Sequence, residues 1–240
     1  MSGVRPSPTS TGATPPGSTP RGESRIRAFG EAALMVDVGG GIDVAANVLA
    51  LTIAAAVRAD AKAGWGAPIP AYDSVLVPFD PDRLDATDAE ARLRACLRAA
   101  RKRDATDETG RLHRIQVRYG GADGPDLDAV ADRLGLVPAQ VVELHASVDY
   151  RVFMLGFAPG FGYLGRLPVE LMVPRRDQPR PRVPAGSVAI AGSQTAIYPS
   201  STPGGWHLIG RTDAVIWDAR RSPPALFGAG DHVRFEPVSG

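Results

Sequence analysis

The chain has 240 residues, of which 44% are hydrophobic, and this size suits one large or two smaller folded domains. Its 27 basic and 26 acidic side chains leave a formal net charge of +1, so no long-range field favours nucleic acid or an anionic membrane surface. No uninterrupted apolar stretch approaches the roughly 20 residues that span a bilayer. We therefore expect neither a nucleic-acid partner nor a membrane partner.

The first 24 residues are rich in Pro, Ser, Thr and Gly and contain almost no apolar side chains. Such a segment cannot bury enough surface to fold, so residues 1–24 are predicted to form a disordered tail. The chain begins without the apolar run of a signal peptide, and its one cysteine, Cys96, permits no intrachain disulfide. Both features predict a cytoplasmic protein.

Residues 25–108 predict a small α/β domain in the order strand, helix, strand, helix. "RIRAFGEAALMVDVG" and "YDSVLVPFD" have the apolar spacing of strands, and a helical spacing runs from Ile42 onward. "TDAEARLRACLRAARKR" predicts the second helix, with Thr87 or Asp88 as its N-cap. Cys96 falls on the apolar face of this helix, so we interpret it as a core residue.

Residues 111–238 predict a second domain that is mostly β. "RLHRIQVRYGG" alternates as a strand, and a short helix follows, capped by Asp126 and ended by Gly135. Pro138 begins another helix, which offers only Gln140 to a DNA groove. The rest is short apolar runs between Pro- and Gly-rich turns, typical of an antiparallel sandwich or barrel. These runs are "YRVFMLGF", "SVAIAG", "TAIYP", "WHLIGRT", "AVIWD" and "HVRFEPV".

Standard catalytic motifs are missing from the sequence. It contains no phosphate-binding loop with Lys, no Gly-x-Gly-x-x-Gly after the first strand and no Gly-x-Ser-x-Gly elbow. No lysine follows Lys102, so any later anion site must use arginine or backbone amides. The four histidines lie in different segments with no i, i+4 pair and no cysteine partner, so we predict no metal site.

Three unusual loops are the candidates for function. "GFAPGFGYLGRLP", residues 156–168, disfavours both a helix and a central strand, which predicts a shaped loop. "PRRDQPRPRVPAGS" carries arginines at 175, 176, 180 and 182 that are able to bind a carboxylate or phosphate; the alternative is a solvated surface loop. In "STPGGWHLIGRT", Gly204 and Gly205 allow backbone amides to approach a ligand, and Trp206 is either an apolar wall or ordinary core.

Long motifs in a fixed order carry a resemblance to a known family. They are "VRYGGADGPDLDAVADRLGL", "VVELHASVDYRVFMLGFAPGFGYLGRLP", "PRRDQPRPRVPAGSVAIAGSQTAIYPSSTPGGWHLIGRT" and "AGDHVRFEPV". Together they resemble the B-subunit family of 5-oxoprolinase, also called allophanate hydrolase subunit 1, which includes sporulation-type kinase inhibitors. The resemblance is strong over residues 111–238 and weaker in the first domain.

The resemblance implies an α+β fold, with a small N-terminal α/β domain followed by a mostly antiparallel cyclophilin-like β-barrel domain. It implies one component of an ATP-dependent cyclic-amide hydrolase, 5-oxoprolinase, which opens 5-oxo-L-proline to L-glutamate and also contains A and C subunits. ATP, with Mg, would be used by the hetero-oligomeric complex, and the chain is expected to be inactive alone. The alternatives are a regulator that inhibits a sensor histidine kinase, and a component acting on an allophanate- or urea-type amide.

The resemblance also marks candidate site residues. His145 and Arg211 are the catalytic candidates, with a structural histidine as the alternative for His145. The candidates for substrate binding are Arg175, Arg180, Gln194, Thr195, Gly204, Gly205 and Trp206. The family's signature loop, lining a site or contacting the C subunit, is matched by Gly156, Phe157, Pro159, Gly160, Phe161 and Tyr163.

Overall fold

A computed structural model describes residues 24–60, 64–102 and 110–239. The predicted disordered tail, residues 1–24, lies outside the described residues except for Ser24. Within the described residues, no helix is both long and apolar enough to cross a membrane.

The N-terminal unit packs two helices on a four-stranded antiparallel sheet of order β1-β2-β4-β3. Its elements are β1 (Arg25–Ala28), β2 (Ala33–Asp37), α1 (Val44–Ala59), β3 (Ile69–Pro70), β4 (Ser74–Pro78) and α2 (Ala86–Arg101). Alternate strand residues such as Val36, Val75 and Val77 are buried against Ile53 and Leu93 of the helices. The predicted alternation of strand and helix segments and the burial of Cys96 are confirmed, but the stretch predicted as one first strand, "RIRAFGEAALMVDVG", forms the antiparallel pair of β1 and β2.

The N-cap predicted for α2 is wrong by two or three residues. Asp85 is the N-cap, and its carboxylate accepts hydrogen bonds from the backbone N–H groups of Thr87 and Asp88. The residues predicted as the cap therefore lie inside the first turn. An Asp in this position satisfies two of the amides that a helix start leaves without partners.

The second unit is a closed barrel of strand order β10-β7-β6-β13-β5-β12-β9, with β9 paired to β10. All neighbouring strands are antiparallel except β13 and β5, which run parallel. This confirms the α+β class and the mostly antiparallel barrel. The elements are β5 (Leu112–Tyr119), α3 (Leu127–Leu134), α4 (Pro138–Ala146), β6 (Asp149–Leu155), β7 (Gly162–Gly165), β8 (Arg180–Val183), β9 (Ser187–Ala191), β10 (Gln194–Ile197), β11 (Thr202–Gly204), β12 (His207–Arg211) and β13 (His232–Pro237).

Several predicted elements of this unit differ in the structure. β8 and β11 lie in segments predicted as loops and pair antiparallel with each other. The run "AVIWD" is not a strand; only Trp217 makes an isolated bridge, to Ala225. Conversely, the segment predicted as a loop contains β7, which pairs with β6 and β10. Glycine serves close packing here, since a Cβ on Gly165 would lie 3.2 Å from the ring of Phe153.

A buried asparagine joins the N-terminal unit to the barrel. Asn47 of α1 is 0% exposed, and its side-chain N–H donates to the carbonyl of Phe153 at 2.9 Å. Its Oδ1 accepts from Arg151 Nε at 3.0 Å, and its amide also reaches the carbonyls of Ala71 and Tyr72. The turn that carries Tyr72 is thereby held against β6.

Candidate functional site

The loop before β7 is folded into a tight turn that exposes one aromatic ring and buries another. The N–H of Gly156 donates to the carbonyl of Phe161 at 3.0 Å, and the N–H of Phe161 donates to Ala158. Phe157 has a φ of 65°, a conformation that bulky residues rarely adopt, and remains 62% exposed. Gly160 has a φ of 81°, and Pro159 lies exposed at the tip. The loop predicted as shaped is thus confirmed over its first half.

Five aromatic side chains pack edge to face behind this turn, and we call them the aromatic cluster. Ring centroids are 5.2 Å apart for Phe157 and Phe161, and 5.9 Å apart for Phe161 and Trp206. Tyr163 and Tyr198 complete the cluster, each against the ring of Phe161. Trp206 is only 5% exposed, so it belongs to the core of this cluster and does not form an open wall.

A tyrosine from the N-terminal unit extends the aromatic cluster across the junction. The ring of Tyr72 lies 5.9 Å from those of Tyr163 and Phe153. Gln194 donates from Nε2 to the Tyr72 hydroxyl at 2.6 Å. Sequence reasoning identified Gln194 but missed Tyr72, whose only signal was a tyrosine in the turn "AYDS".

Besides Arg180, whose charge acts on Tyr198, Arg175 is a cation that acts on this surface. Its charge lowers the pKa of Tyr72 and of Tyr198, opposing the larger effect of burial, which raises both. The effect of burial is the larger one, so the pKa of Tyr72 is raised to about 12. Both hydroxyls therefore stay protonated at neutral pH. Tyr198 is only 2% exposed, so the partly exposed Tyr72 is the one of the two that is open to a ligand, while the exposed Arg175 guanidinium offers charge and donors to an anion.

Gly204 and Gly205, the two glycines predicted to bind substrate, differ in the atoms that an added side chain would meet. A Cβ on Gly204 would lie 2.3 Å from the Tyr198 hydroxyl, so a side chain there displaces that hydroxyl. The nearest atom to a Cβ on Gly205 is 3.6 Å away, in Pro179, and the carbonyl of Gly205 accepts from the N–H of Arg176. Gly204 is needed for close approach to the aromatic cluster, whereas the carbonyl of Gly205 anchors residues 174–183, the segment before and including β8 that we call the arginine loop.

Arg176 and Arg180 are bound to a carboxylate of the same chain. Arg180 donates to both oxygens of Asp126, at 2.7 and 2.8 Å, and Arg176 donates to Oδ1 at 3.0 Å. Asp126 is the N-cap residue of α3, as predicted, although its carboxylate makes no capping hydrogen bond. Arg180 is therefore already neutralised, which leaves Arg175 as the stronger candidate for a substrate anion.

His145 and Thr195 lie inside the barrel and away from the aromatic surface. His145 is 0% exposed, stacks on Phe235 at 4.5 Å, and has both nitrogens engaged, Nδ1 with the Tyr119 hydroxyl and Nε2 with Thr195. Thr195 donates to the carbonyl of Ala189, so it accepts from Nε2, and Nδ1 accepts from Tyr119. Burial lowers the pKa of His145 to about 3, which keeps the ring neutral. We correct its role to a structural one, since no face of the ring reaches solvent.

Arg211 stands at the far end of β12 from the aromatic cluster. It pairs in register with Arg118 of β5 and Ser187 of β9, whereas Trp206 directly precedes the other end of the strand. Five residue-to-residue steps of extended chain separate the two, roughly 15 Å. The structure does not bring Arg211 together with Arg175, and its catalytic role stays a prediction.

Comparison with known proteins identifies the family. The family model "Carboxyltransferase domain, subdomain C and D" matches residues 24–227. The 5-oxoprolinase B subunit of Bacillus subtilis is 37% identical over 223 residues, covering 90% of this chain and 93% of that protein. The chain belongs to the B-subunit family of 5-oxoprolinase. The B subunit of Escherichia coli O157:H7 is 50% identical over 170 residues, 70% of this chain and 76% of that protein.

A solved structure shows that a similar fold occurs as part of a longer chain. The crystal structure of TTHA0988 superposes with a TM-score of 0.76 at 38% identity and covers 90% of this chain. The matched region is 41% of the TTHA0988 chain, so our chain spans less than half of that longer relative.

Proposed function

We propose that this chain is the B subunit of an ATP-dependent 5-oxoprolinase that opens 5-oxo-L-proline to L-glutamate together with A and C subunits. Three relatives of this chain are named as the B subunit of 5-oxoprolinase, and a protein named as a subunit implies a larger complex. The observation that carries the proposal to a site is the exposed Arg175, whose two chain neighbours are anchored to His207 and Gly205 and whose charge lowers the pKa of Tyr72.

The substrate's groups match those of this surface. 5-Oxoproline carries a carboxylate that Arg175 would bind, an apolar ring that would lie on Tyr163, and a lactam amide within reach of Tyr72 and Gln194. Opening the ring breaks the lactam C–N bond and adds water. A lactam is resonance-stabilised, so transfer of the γ-phosphoryl group of ATP to its carbonyl oxygen, with release of ADP, would make it a better electrophile. Water would then add to the carbonyl carbon, inorganic phosphate would leave, and the lactam nitrogen would take a proton to become the amino group of glutamate.

The handling of ATP belongs, in this proposal, to the complex. Among residues 24–60, 64–102 and 110–239 no group of three or more His, Cys, Asp or Glu side chains is arranged to hold a metal ion. The donors at the aromatic surface are a guanidinium, hydroxyls and an amide, which suit an anionic oxygen better than Mg²⁺. We therefore assign substrate positioning to this surface, and the proposal places ATP and Mg²⁺ with the complex as a whole.

The test measures glutamate formed from 5-oxoproline and ATP by this chain mixed with candidate A and C subunits, with each omitted in turn. We expect turnover only with all three. Arg175→Ala should raise the KM for 5-oxoproline about 10- to 100-fold, the value of a charged hydrogen bond of about 1.5–3 kcal/mol. Arg182→Ala is the matched control, because Arg182 lies in the same loop but bonds Ser201. Equal effects of the two variants would contradict the assignment.

One observation favours the regulatory alternative as a second candidate. Phe157 is 62% exposed in a strained backbone conformation at the edge of the aromatic cluster, a feature expected of a protein contact. A correctly assembled complex without 5-oxoproline turnover, together with binding of a sensor histidine kinase that Phe157→Ala abolishes, would favour a kinase inhibitor.

A further inference from the structure

The carboxylate of Asp126 gathers donors from two distant parts of the chain. Asp126 is 5% exposed, yet it accepts from two arginines of the loop before and within β8 and from the N–H of Leu208 at 2.7 Å. Its own N–H donates to the carbonyl of Leu208 at 2.9 Å. The carboxylate is therefore fixed relative to β12, and the arginines are fixed to it.

Other ties hold the same loop on both sides of Arg175. His207 Nε2 donates to the carbonyl of Pro174 at 2.9 Å, and the N–H of Arg176 donates to the carbonyl of Gly205 at 2.8 Å. The residues immediately before and after Arg175 are thus both anchored to the β11–β12 region. Arg176 is anchored twice, since its guanidinium also reaches Asp126.

The four arginines of this loop therefore divide by partner. Arg176 and Arg180 bind Asp126, and Arg182 binds Ser201. Arg175 is exposed, and its charge acts on the two tyrosines of the candidate site. Removing the carboxylate would leave two guanidinium groups without a counter-ion, free to compete for the same anion and to pull the loop from β12.

We propose that Asp126 is a positioning residue: it fastens the arginine loop to β12 through Arg176 and Arg180, and so places Arg175 for the substrate anion. The identity of that anion rests on the proposed function. Asp126 itself does not touch substrate; it acts through Arg175.

The test is a double-mutant cycle in the assembled three-subunit complex, read as kcat/KM for 5-oxoproline. Asp126→Asn keeps the size of the side chain and should lower kcat/KM about 10-fold or more, chiefly through KM, because a misplaced binding group costs that much. Asp123→Asn is the control, since it makes the same change in a carboxylate paired with Arg118 at 2.9 Å. It should stay within about twofold of the wild type, as most surface changes do.

The decisive arm combines Asp126→Asn with Arg175→Ala. If Asp126 acts through Arg175, the double variant is no worse than Arg175→Ala alone within about twofold. Losses that multiply would overturn the proposal and assign Asp126 a role in general stability. If Asp126→Asn does not fold, Arg176→Gln loosens the same attachment from its partly exposed side, and the same non-additivity with Arg175→Ala is expected.

Hydrogen exchange separates failure of this inference from failure of the proposed function. A wild-type complex without 5-oxoproline turnover refutes the function and leaves the loop attachment to be judged by exchange in the isolated chain. Amides of residues 175–183 should exchange faster in Asp126→Asn than in Asp123→Asn or wild type. Unchanged protection of this segment would overturn the inference whatever the activity.

Discussion

Replacing Asn47 with alanine should destabilise the protein by far more than the small size of the deletion suggests. Asn47 is the only asparagine in the chain and is fully buried at the junction between α1 and the barrel. The variant removes a donor from the carbonyl of Phe153 and an acceptor from Arg151 Nε. Phe153 lies where the β6–β7 register shifts, between Val152 and Met154, so its carbonyl relies on this side chain.

The expected loss of stability in Asn47→Ala follows from the polar groups that lose their hydrogen bond to the Asn47 side chain. A buried polar group that loses its hydrogen bond costs about 1–3 kcal/mol, and more when it is charged. Phe153 contributes one such group, and the carbonyls of Ala71 and Tyr72 share the lost amide at 3.0 and 3.2 Å. Allowing for relaxation, we expect Asn47→Ala to lower the free energy of unfolding by about 3–5 kcal/mol.

The assay is urea unfolding followed by tryptophan fluorescence at pH 7, with Thr52→Ala as the control on the same helix. The Thr52 hydroxyl donates to the carbonyl of Val48 within α1. Removing this hydroxyl should change the free energy of unfolding by no more than about 0.5 kcal/mol. A loss below about 1 kcal/mol for Asn47→Ala, similar to that of the control, would refute the claim that this amide joins the two units.

Two further predictions test the aromatic cluster and the buried histidine. Gly204→Ala, whose Cβ would lie 2.3 Å from the Tyr198 hydroxyl, should lower the free energy of unfolding by about 1–3 kcal/mol. Gly205→Ala, with its nearest atom at 3.6 Å, should change it by less than about 0.5 kcal/mol, and equal losses in urea unfolding would contradict the geometry. Burial lowers the pKa of His145 from 6.5 to about 3, so below pH 6.5 only the unfolded chain takes up this proton. Wild-type stability should therefore fall with decreasing pH by about 1.4 kcal/mol per unit more than that of His145→Asn, and parallel curves down to about pH 4 would argue against the neutral buried ring.

The sequence alone predicted the elements whose signals are local. Gly135 ends α3 in the left-handed conformation at a φ of 69°, and Pro138 begins α4, both as their types and positions indicate. The periodicity around Cys96 predicted a buried helical face, which α2 confirms. These features depend on residues within one or two helical turns, so the neighbours along the chain carry enough information.

The tertiary structure decided which side chains meet. β7 is a strand because β6 and β10 supply its hydrogen bonds, although its glycines predict a loop. Asp126 selects Arg176 and Arg180 from 50 and 54 residues away and thereby leaves Arg175 for the aromatic surface. Tyr72 reaches that surface from the other unit, 122 residues from Gln194.

The role of His145 was also left undecided by the sequence. Its sequence context is consistent both with an exposed acid or base and with a core residue. Only the closed barrel places it between Tyr119 and Thr195 with no access to solvent. The helices and strands with local signals are therefore predictable from the sequence. The hydrogen-bond partners of each polar group are not, because they come from segments far apart in sequence that only folding brings together.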